Sequence, residues 1–176
     1  WPSLAGATAS FQADVELANR LLESEGACLL PTAMHPWMDP DRDTRLWPHG
    51  NGDIYRAYDR IFGCRGHGWS NLQSAHLNLP FADDEEFGRL HAAVRLVLPL
   101  LPALAAASPV VNGRVTGLLD NRIEMYRVNQ ARIPSITGQV IPEPAFTIDA
   151  YQTMILETLY RDIAPHDPAG ILQEEW

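Results

Sequence analysis

The chain has 176 residues, which is enough for one domain with a hydrophobic core and few for two. Its net charge of −9 at pH 7 argues against a nucleic-acid-binding surface, because such surfaces are rich in lysine and arginine. The two cysteines, Cys28 and Cys64, stand apart without metal-binding spacing, which favours a reducing compartment such as the cytoplasm.

The N-terminal part predicts a helix, a short strand and a long loop. Apolar residues recur at helical spacing over residues 11–25, and Gly26 suits the end of a helix. Residues 27–30 then predict a short buried strand. Residues 34–51 form a loop rich in turn-forming residues, which we interpret as a lid or a substrate-facing loop. Residues 53–62 predict an amphipathic helix, and residues 63–68 a hairpin-like glycine-rich connector without the lysine of a phosphate-binding loop.

The stretch over residues 73–81, Gln-Ser-Ala-His-Leu-Asn-Leu-Pro-Phe, predicts a strand that ends at Pro80. Side chains of a strand alternate between two faces. One face would carry Ala75, Leu77 and Leu79, and the other Ser74, His76 and Asn78. We expect the apolar face to pack on helices and the polar face to line a ligand site. The same alternation also fits a half-solvated strand with a surface histidine.

Residues 85–107 predict a long helix that is apolar nearly all round, and hence buried, with a kink or break at Pro99 and Pro102. The most apolar part, residues 96–111, is too short to span a bilayer. Residues 118–129 and 148–163 predict two further helices.

Arg122, Tyr126 and Asn129 would share one face of the helix over residues 118–129. Arg122 either forms an exposed salt bridge with Asp120 or Glu124, or joins Arg132 in a clamp for a carboxylate or phosphate.

Several segments of the sequence occur in an order and at a spacing that resemble those of a known family. The set comprises residues 73–79, the acidic start of the following helix, Ala107-Ser108-Pro109, Gly113, Thr116-Gly117, Arg122 and Arg132. It is similar to the type 2 glutamate–cysteine ligases, which include bacterial carboxylate–amine ligases and the plant enzymes. The resemblance covers about residues 27–142. It implies an α+β fold, with an antiparallel sheet and helices packed on one face as in glutamine synthetase, incomplete in this chain.

The resemblance also implies an activity and its residues. The implied enzyme joins glutamate to an amine such as cysteine through an acyl phosphate, using ATP and Mg²⁺, in the cytoplasm. The expected partners are small-molecule substrates, without nucleic acid or membrane, and a homo-oligomer is compatible with the family. By matching positions, Arg122 and Arg132 would be catalytic, Gln73, Asn78 and Tyr126 would bind substrate, and His76 would lie near the metal.

The chain departs from the family pattern at both ends: we expect residues 1–176 to lack both the family's N-terminal metal-binding strand and its C-terminal strand with further acidic and basic residues. The family's metal ligands are mainly glutamates of a Glu-x-Glu strand, and no such strand precedes Phe11. Since Mg²⁺ prefers several oxygen ligands, His76 alone cannot form that site. We therefore expect residues 1–176 to be a single catalytic-core domain, a fragment of a longer ligase.

Two alternatives remain open. The first is a non-catalytic homologue or fragment that binds an amino acid or a partner. The second is a metal hydrolase that uses His67, His76 and either His35 or His49.

Overall fold

The structure is a computed structural model that describes residues 5–139 and 141–173. The chain divides into two compact units, residues 1–31 and residues 32–176. A single domain over the whole chain stays a prediction.

The first unit consists mainly of helix α1 (Ala7–Leu22), extended by a 3-10 turn, Glu23–Glu25. Gly26 ends this turn with φ of 62°, a left-handed conformation that glycine adopts without a steric penalty. The predicted helix and its stop are thus confirmed. The predicted buried strand at residues 27–30 is wrong, because these residues are exposed and form no strand. The N–H of Leu29 instead donates to Oδ1 of Asn19 at 2.7 Å.

The second unit is mainly helical. Its α-helices are α2 (Pro40–Asp43), α3 (Gly52–Phe62), α4 (His67–Ser70), α5 (Asp84–Val97), α6 (Leu101–Ala105), α7 (Asn121–Asn129), α8 (Pro134–Thr137), α9 (Ile148–Tyr151) and α10 (Glu157–Ile163). A π-helical turn, Gln152–Leu156, joins α9 to α10, so the predicted helix over residues 148–163 is confirmed with an irregular middle. The predicted helix over residues 53–62 is confirmed as α3. The predicted hairpin-like connector is wrong, since its last residues begin α4.

The core of this unit is small and is centred on α3. Its buried members are Ala57, Ile61, Ile133, Ile163 and Leu172. Because α3 has its apolar residues on one side, it packs that side into this core.

The described residues contain one small sheet, a hairpin of β1 (Val110–Val111) and β2 (Arg114–Val115). Asn112 and Gly113 form its turn with φ of 52° and 73°, the positive values that two-residue hairpin turns favour. This mixture of helices and antiparallel strands is consistent with an α+β class. The glutamine synthetase-like sheet stays a prediction.

The strand predicted over residues 73–81 is absent from the described structure. The segment is extended without strand pairing, and Leu77 is 72% exposed, so its apolar side chains do not pack on helices. The N–H of Gln73 donates to the carbonyl of Ala33 at 2.9 Å, but a strand needs a neighbour along its whole length. No such neighbour occurs among residues 5–139 and 141–173.

The long apolar helix differs from its prediction in burial. It breaks as predicted at the prolines, where a 3-10 turn, Leu98–Leu100, separates α5 from α6. It is not buried: Leu96 is 78% and Leu104 79% exposed. The side of α5 that carries His91 packs inward. Nε2 of His91 lies 2.8 Å from the carbonyl oxygen of Glu143. By length and composition Asp84–Ala105 could cross a membrane, a test that core helices of soluble proteins also pass.

Candidate functional site

Asn71 is the most buried polar residue near the predicted lid loop, with an exposed fraction of 0%. Its Oδ1 accepts from the N–H of His35 at 2.8 Å, and its Nδ2 donates to the carbonyl of His35 at 3.0 Å. Nδ2 also lies 3.0 Å from Nδ1 of His67. Asn71 therefore anchors the start of the loop to α4 through a fully used amide group.

These contacts fix the orientation of the His67 ring. Its Nδ1 lies 3.0 Å from Nδ2 of Asn71, and its Nε2 lies 3.0 Å from Oδ1 of Asn112. An amide N–H donates and an amide oxygen accepts, so the tautomer with its proton on Nε2 satisfies both contacts. His67 is thus held between two asparagines.

A cavity of about 550 Å³ opens beside His67 and Asn112. We call it the charged cavity, because aspartates and an arginine line it. Its lining includes Trp37, Asp39, Asp41, Arg65, His67 and Asn112. The first three of these side chains come from the predicted lid loop and α2, and Arg65 comes from the glycine-rich connector.

A second cavity of about 590 Å³ lies on the same loop, and we call it the aromatic cavity. Its lining includes Trp47, Tyr55, Tyr58, Trp69, Thr44 and Cys64. Burial, followed by the nearby carboxylate of Asp59, raises the pKa of the Cys64 thiol from 9.0 to about 11. This thiol is therefore poorly suited to be a nucleophile at neutral pH. Met38 lines both cavities, so the loop over residues 34–51 faces two spaces large enough for small molecules.

Arg122 lies in the first turn of α7 and contacts the extended segment. Its Nη2 donates to Oγ of Ser74 at 2.6 Å, and its backbone N–H donates to Oγ of Ser108 at 3.0 Å. Its Nε is buried and has no hydrogen-bond partner among the described residues. The predicted salt bridge with Asp120 or Glu124 is wrong, because those carboxylates have other partners.

Both carboxylates make contacts within α7 or at its N-terminal end. Asp120 caps the helix by accepting from the N–H of Ile123 at 3.3 Å. Glu124 pairs with Arg127 at 2.6 Å, and this hydrogen bond lowers the pKa of Glu124. Among residues 5–139 and 141–173, the guanidinium of Arg122 therefore pairs with no acidic side chain.

Ser108 organises the polar surroundings of Arg122. It is buried, donates from Oγ to Oδ1 of Asp120 at 3.2 Å, and accepts through its carbonyl from Nδ2 of Asn121 at 2.7 Å. Asn121 also donates to Oγ1 of Thr116 at 2.7 Å. The Ser-Pro and Thr-Gly segments of the sequence thus meet at the start of α7.

The guanidinium of Arg132 contacts the C-terminal end of α3. Its Nη1 donates to the carbonyls of Ile61 at 3.0 Å and Arg60 at 3.4 Å, where a cation complements the C-terminal end of α3. No hydrogen bond to a shared group joins Arg132 to Arg122 in the described part of the chain. A joint role in catalysis stays a prediction.

The other predicted site residues are exposed. Tyr126 lies on the outer part of α7, and Gln73, His76 and Asn78 lie along the extended segment. No group of three His, Cys, Asp or Glu side chains suited to a metal ion occurs among residues 5–139 and 141–173. The structure therefore lends no support to a hydrolase site built from His67, His76 and His35 or His49.

Sequence reasoning missed Asn71 and Asn112, and it named Ser108 only as part of the family resemblance, without a contact. The Asn112-Gly113 pair carried a recognisable signal, because Asn-Gly is typical of two-residue hairpin turns. Asn71 carried none, since its partner His35 is remote in sequence.

A family model described as Glutamate-cysteine ligase family 2 matches residues 2–163. The chain belongs to this family, which confirms the resemblance and extends it beyond residues 27–142. An uncharacterized protein of Archaeoglobus fulgidus is 38% identical over 152 residues, covering 86% of this chain and 40% of that protein. The chain thus spans less than half the length of this relative. No solved structure matches the chain.

Proposed function

We propose that the chain is part of an ATP-dependent carboxylate–amine ligase that joins glutamate to an amine such as cysteine through an acyl phosphate. Family membership supports a ligase of this class. The observation that carries the proposal is the contact of Arg122 with Ser74, because it joins two segments that bear the family resemblance. Within this proposal Arg122 binds a carboxylate of the acid substrate.

The chemistry assigned to Arg122 follows from its donors. Only one of its side-chain N–H groups is used in the described structure, by Ser74. Nε is buried, so the remaining N–H groups of Nη1 and Nη2 are those proposed to bind a planar anion. Phosphoryl transfer to a carboxylate depends on positioning and on charge neutralisation rather than on a protein nucleophile. A guanidinium fixed by Ser74 would hold the acid substrate and offset part of its charge.

The described residues do not fit a magnesium site. Mg²⁺ prefers oxygen ligands in an octahedral arrangement, whereas no three His, Cys, Asp or Glu side chains of the described chain are placed so that they could hold a metal ion. The step proposed for this chain is therefore limited to binding and orienting the acid substrate. The expected position of His76 near the metal stays a prediction.

Glutamate binding by isothermal titration calorimetry tests the proposal. Charge-assisted hydrogen bonds contribute about 1.5–3 kcal/mol, so Arg122→Lys is expected to weaken glutamate binding about ten- to a hundredfold. Arg127→Lys on the same helix is the matched control, because Arg127 pairs with Glu124 at the surface. Equal affinities of the wild type and Arg122→Lys would refute the assigned role.

A non-catalytic amino-acid-binding protein is the second candidate. It is favoured by the lack of a metal-binding cluster in the described structure. Phosphate release from ATP in the presence of glutamate and cysteine separates the two. We expect none from the 176-residue chain alone under either candidate, and release by a longer protein that contains it only if the ligase proposal is correct.

A further inference from the structure

The aromatic cavity is lined by four aromatic side chains, those of Trp47, Tyr55, Tyr58 and Trp69. Their neighbours hold Trp69 in place. Its ring stacks on that of Phe62, with centroids 5.6 Å apart and planes 27° apart, and the ring of Tyr58 lies 6.0 Å away. Aromatic rings attract one another in offset-stacked and edge-to-face arrangements. The lining therefore presents ring surfaces, one of them firmly oriented, to a planar ligand.

Two residues of this lining carry a buried polar atom without a partner. Nε1 of Trp69 and Oγ1 of Thr44 are buried and make no hydrogen bond among the described residues. An indole N–H can only donate, whereas a threonine hydroxyl can both donate and accept. A buried polar group without a hydrogen bond is costly, so a ligand that bonds to these two atoms gains affinity.

The charged side chains of the lining are already engaged. The carboxylate of Asp43 accepts from Nε of Arg42 at 2.7 Å and from its Nη2 at 2.9 Å. Nη1 of Arg45 donates to the carbonyls of Arg42 and Thr44, at 2.7 Å each. The thiol of Cys64 stays protonated at neutral pH, because burial raises its pKa. The cavity therefore suits an uncharged ligand better than an ionic one.

We propose that the aromatic cavity binds a small neutral aromatic compound that carries a hydrogen-bonding oxygen, such as a phenol. The ring would pack among the aromatic side chains. The oxygen would accept from Nε1 of Trp69, and its proton would be donated to Oγ1 of Thr44. The volume of about 590 Å³ is ample for such a compound. The substrates of the proposed ligase are charged, so this ligand would be additional to them, and the inference does not rest on the proposed function.

Titration of the 176-residue chain with three matched probes tests this inference. The probes are p-cresol, toluene, which lacks the hydroxyl group, and 4-methylcyclohexanol, which lacks the aromatic ring. We expect p-cresol to bind about three- to tenfold more tightly than toluene, since one neutral hydrogen-bonding group separates them. 4-Methylcyclohexanol should also bind more weakly than p-cresol, because it cannot stack. Absence of p-cresol binding, or equal binding of all three probes, would overturn the inference.

The indole N–H resonances report where p-cresol binds. The chain has five tryptophans, and Trp69→Phe identifies the signal of Trp69 in nitrogen–proton correlation spectra. This signal should move downfield with p-cresol, because an N–H that gains an acceptor is deshielded, and should not do so with toluene. The signal of Trp37, which does not line this cavity, should stay in place. A titration that moves only the signals of other tryptophans would place p-cresol elsewhere and refute the site.

Variants assign the hydrogen bonds to their residues. Trp69→Phe keeps an aromatic ring and Thr44→Val keeps the side-chain shape, so each should reduce the preference for p-cresol over toluene and leave toluene binding nearly unchanged. Trp37→Phe is the matched control, because Trp37 lines only the charged cavity. Thr44→Val decides the matter if Trp69→Phe does not fold. A wild-type preference for p-cresol in every folded variant would show that these atoms do not bind the ligand.

Adenosine separates this inference from the proposed function, since the proposed ligase uses ATP and adenine is also a planar ring. Tighter binding of adenosine than of p-cresol, with displacement of p-cresol, would assign the cavity to the nucleotide and overturn the inference. If p-cresol binds as described but Arg122→Lys leaves glutamate binding unchanged, the role of Arg122 fails and the aromatic site stands.

Discussion

Nη2 of Arg122 donates to Oγ of Ser74 across 48 positions of the sequence, at 2.6 Å. The contact holds the first turn of α7 against the extended segment before α5. It also leaves the buried Nε of Arg122 without a partner among the described residues. The side chain of Arg122 is thus fixed by Ser74 and has no acidic partner among the described residues.

Ser74→Ala tests whether this contact positions Arg122. The hydrogen bond contributes about 0.5–1.5 kcal/mol, so a modest loss of stability in urea unfolding is expected. If Ser74 orients the guanidinium, glutamate affinity should fall several-fold as well, and Ser74→Thr, which retains a hydroxyl, should restore it. An unchanged glutamate affinity in Ser74→Ala would show that the orientation of Arg122 does not depend on Ser74.

Asn71→Ala should be strongly destabilising. It removes three hydrogen bonds of a fully buried amide and leaves buried groups near His35 and His67 unpaired. Each unsatisfied group costs about 1–3 kcal/mol, so a loss of about 2–4 kcal/mol in the free energy of unfolding is expected. Asn78→Ala, an exposed asparagine, serves as the control for stability and should change it by less than about 0.5 kcal/mol. A small effect of Asn71→Ala would mean that Asn71 does not anchor the loop.

Gly88→Ala should destabilise α5 although alanine is the better helix former. Helix propensity alone would stabilise by about 1 kcal/mol. A Cβ at position 88, however, would lie 2.7 Å from the carbonyl oxygen of Phe146, which is backbone and cannot rotate away. Overpacking of this kind costs about 1–3 kcal/mol, so we expect a net loss on thermal unfolding. A raised melting temperature would show that α5 and the segment around Phe146 separate easily.

The raised pKa of Cys64 makes stability depend on pH in the alkaline range. The folded value of about 11 lies above the ordinary 9.0, so the folded chain holds a proton that the unfolded chain releases. This contribution is fully present below pH 9 and is lost as the pH rises towards 11. The melting temperature should therefore fall between these values, and less so in Cys64→Ala. An equal fall in both proteins would assign the effect to other groups.

Local patterns in the sequence predicted the helices well and the strands poorly. The end of the first helix at Gly26, the break at Pro99 and Pro102, and the helix over residues 53–62 depend on neighbours a few positions away, which the sequence displays directly. A strand depends on a neighbouring strand that hydrogen-bonds to it and that can lie anywhere in the sequence. The alternation of polar and apolar residues over 73–79 therefore indicated an extended conformation. It could not indicate whether another segment of the chain would pair with these residues to form a strand.

For the candidate site, too, local features were predicted and long-range contacts were not. Arg122 was recognised from its family context, and its true contact, Ser74, lies on the polar face that alternation predicted. Its competing partners were misjudged, because Asp120 and Glu124 are near in sequence but serve as a cap and as a partner of Arg127. Asn71 could not be found in advance, since its importance arises from burial against a loop 36 positions away.

Residues 74–79 are exposed, include the exposed Leu77 and Leu79, and make no strand pairing in the described part of the chain. An open edge of this kind is a template on which another chain can add a strand, and it is a known source of aggregation. Concentrated solutions of the 176-residue chain are thus expected to self-associate through this edge. Replacing Leu77 with lysine should keep them monodisperse in light scattering, since a charge at an edge opposes stacking of identical chains.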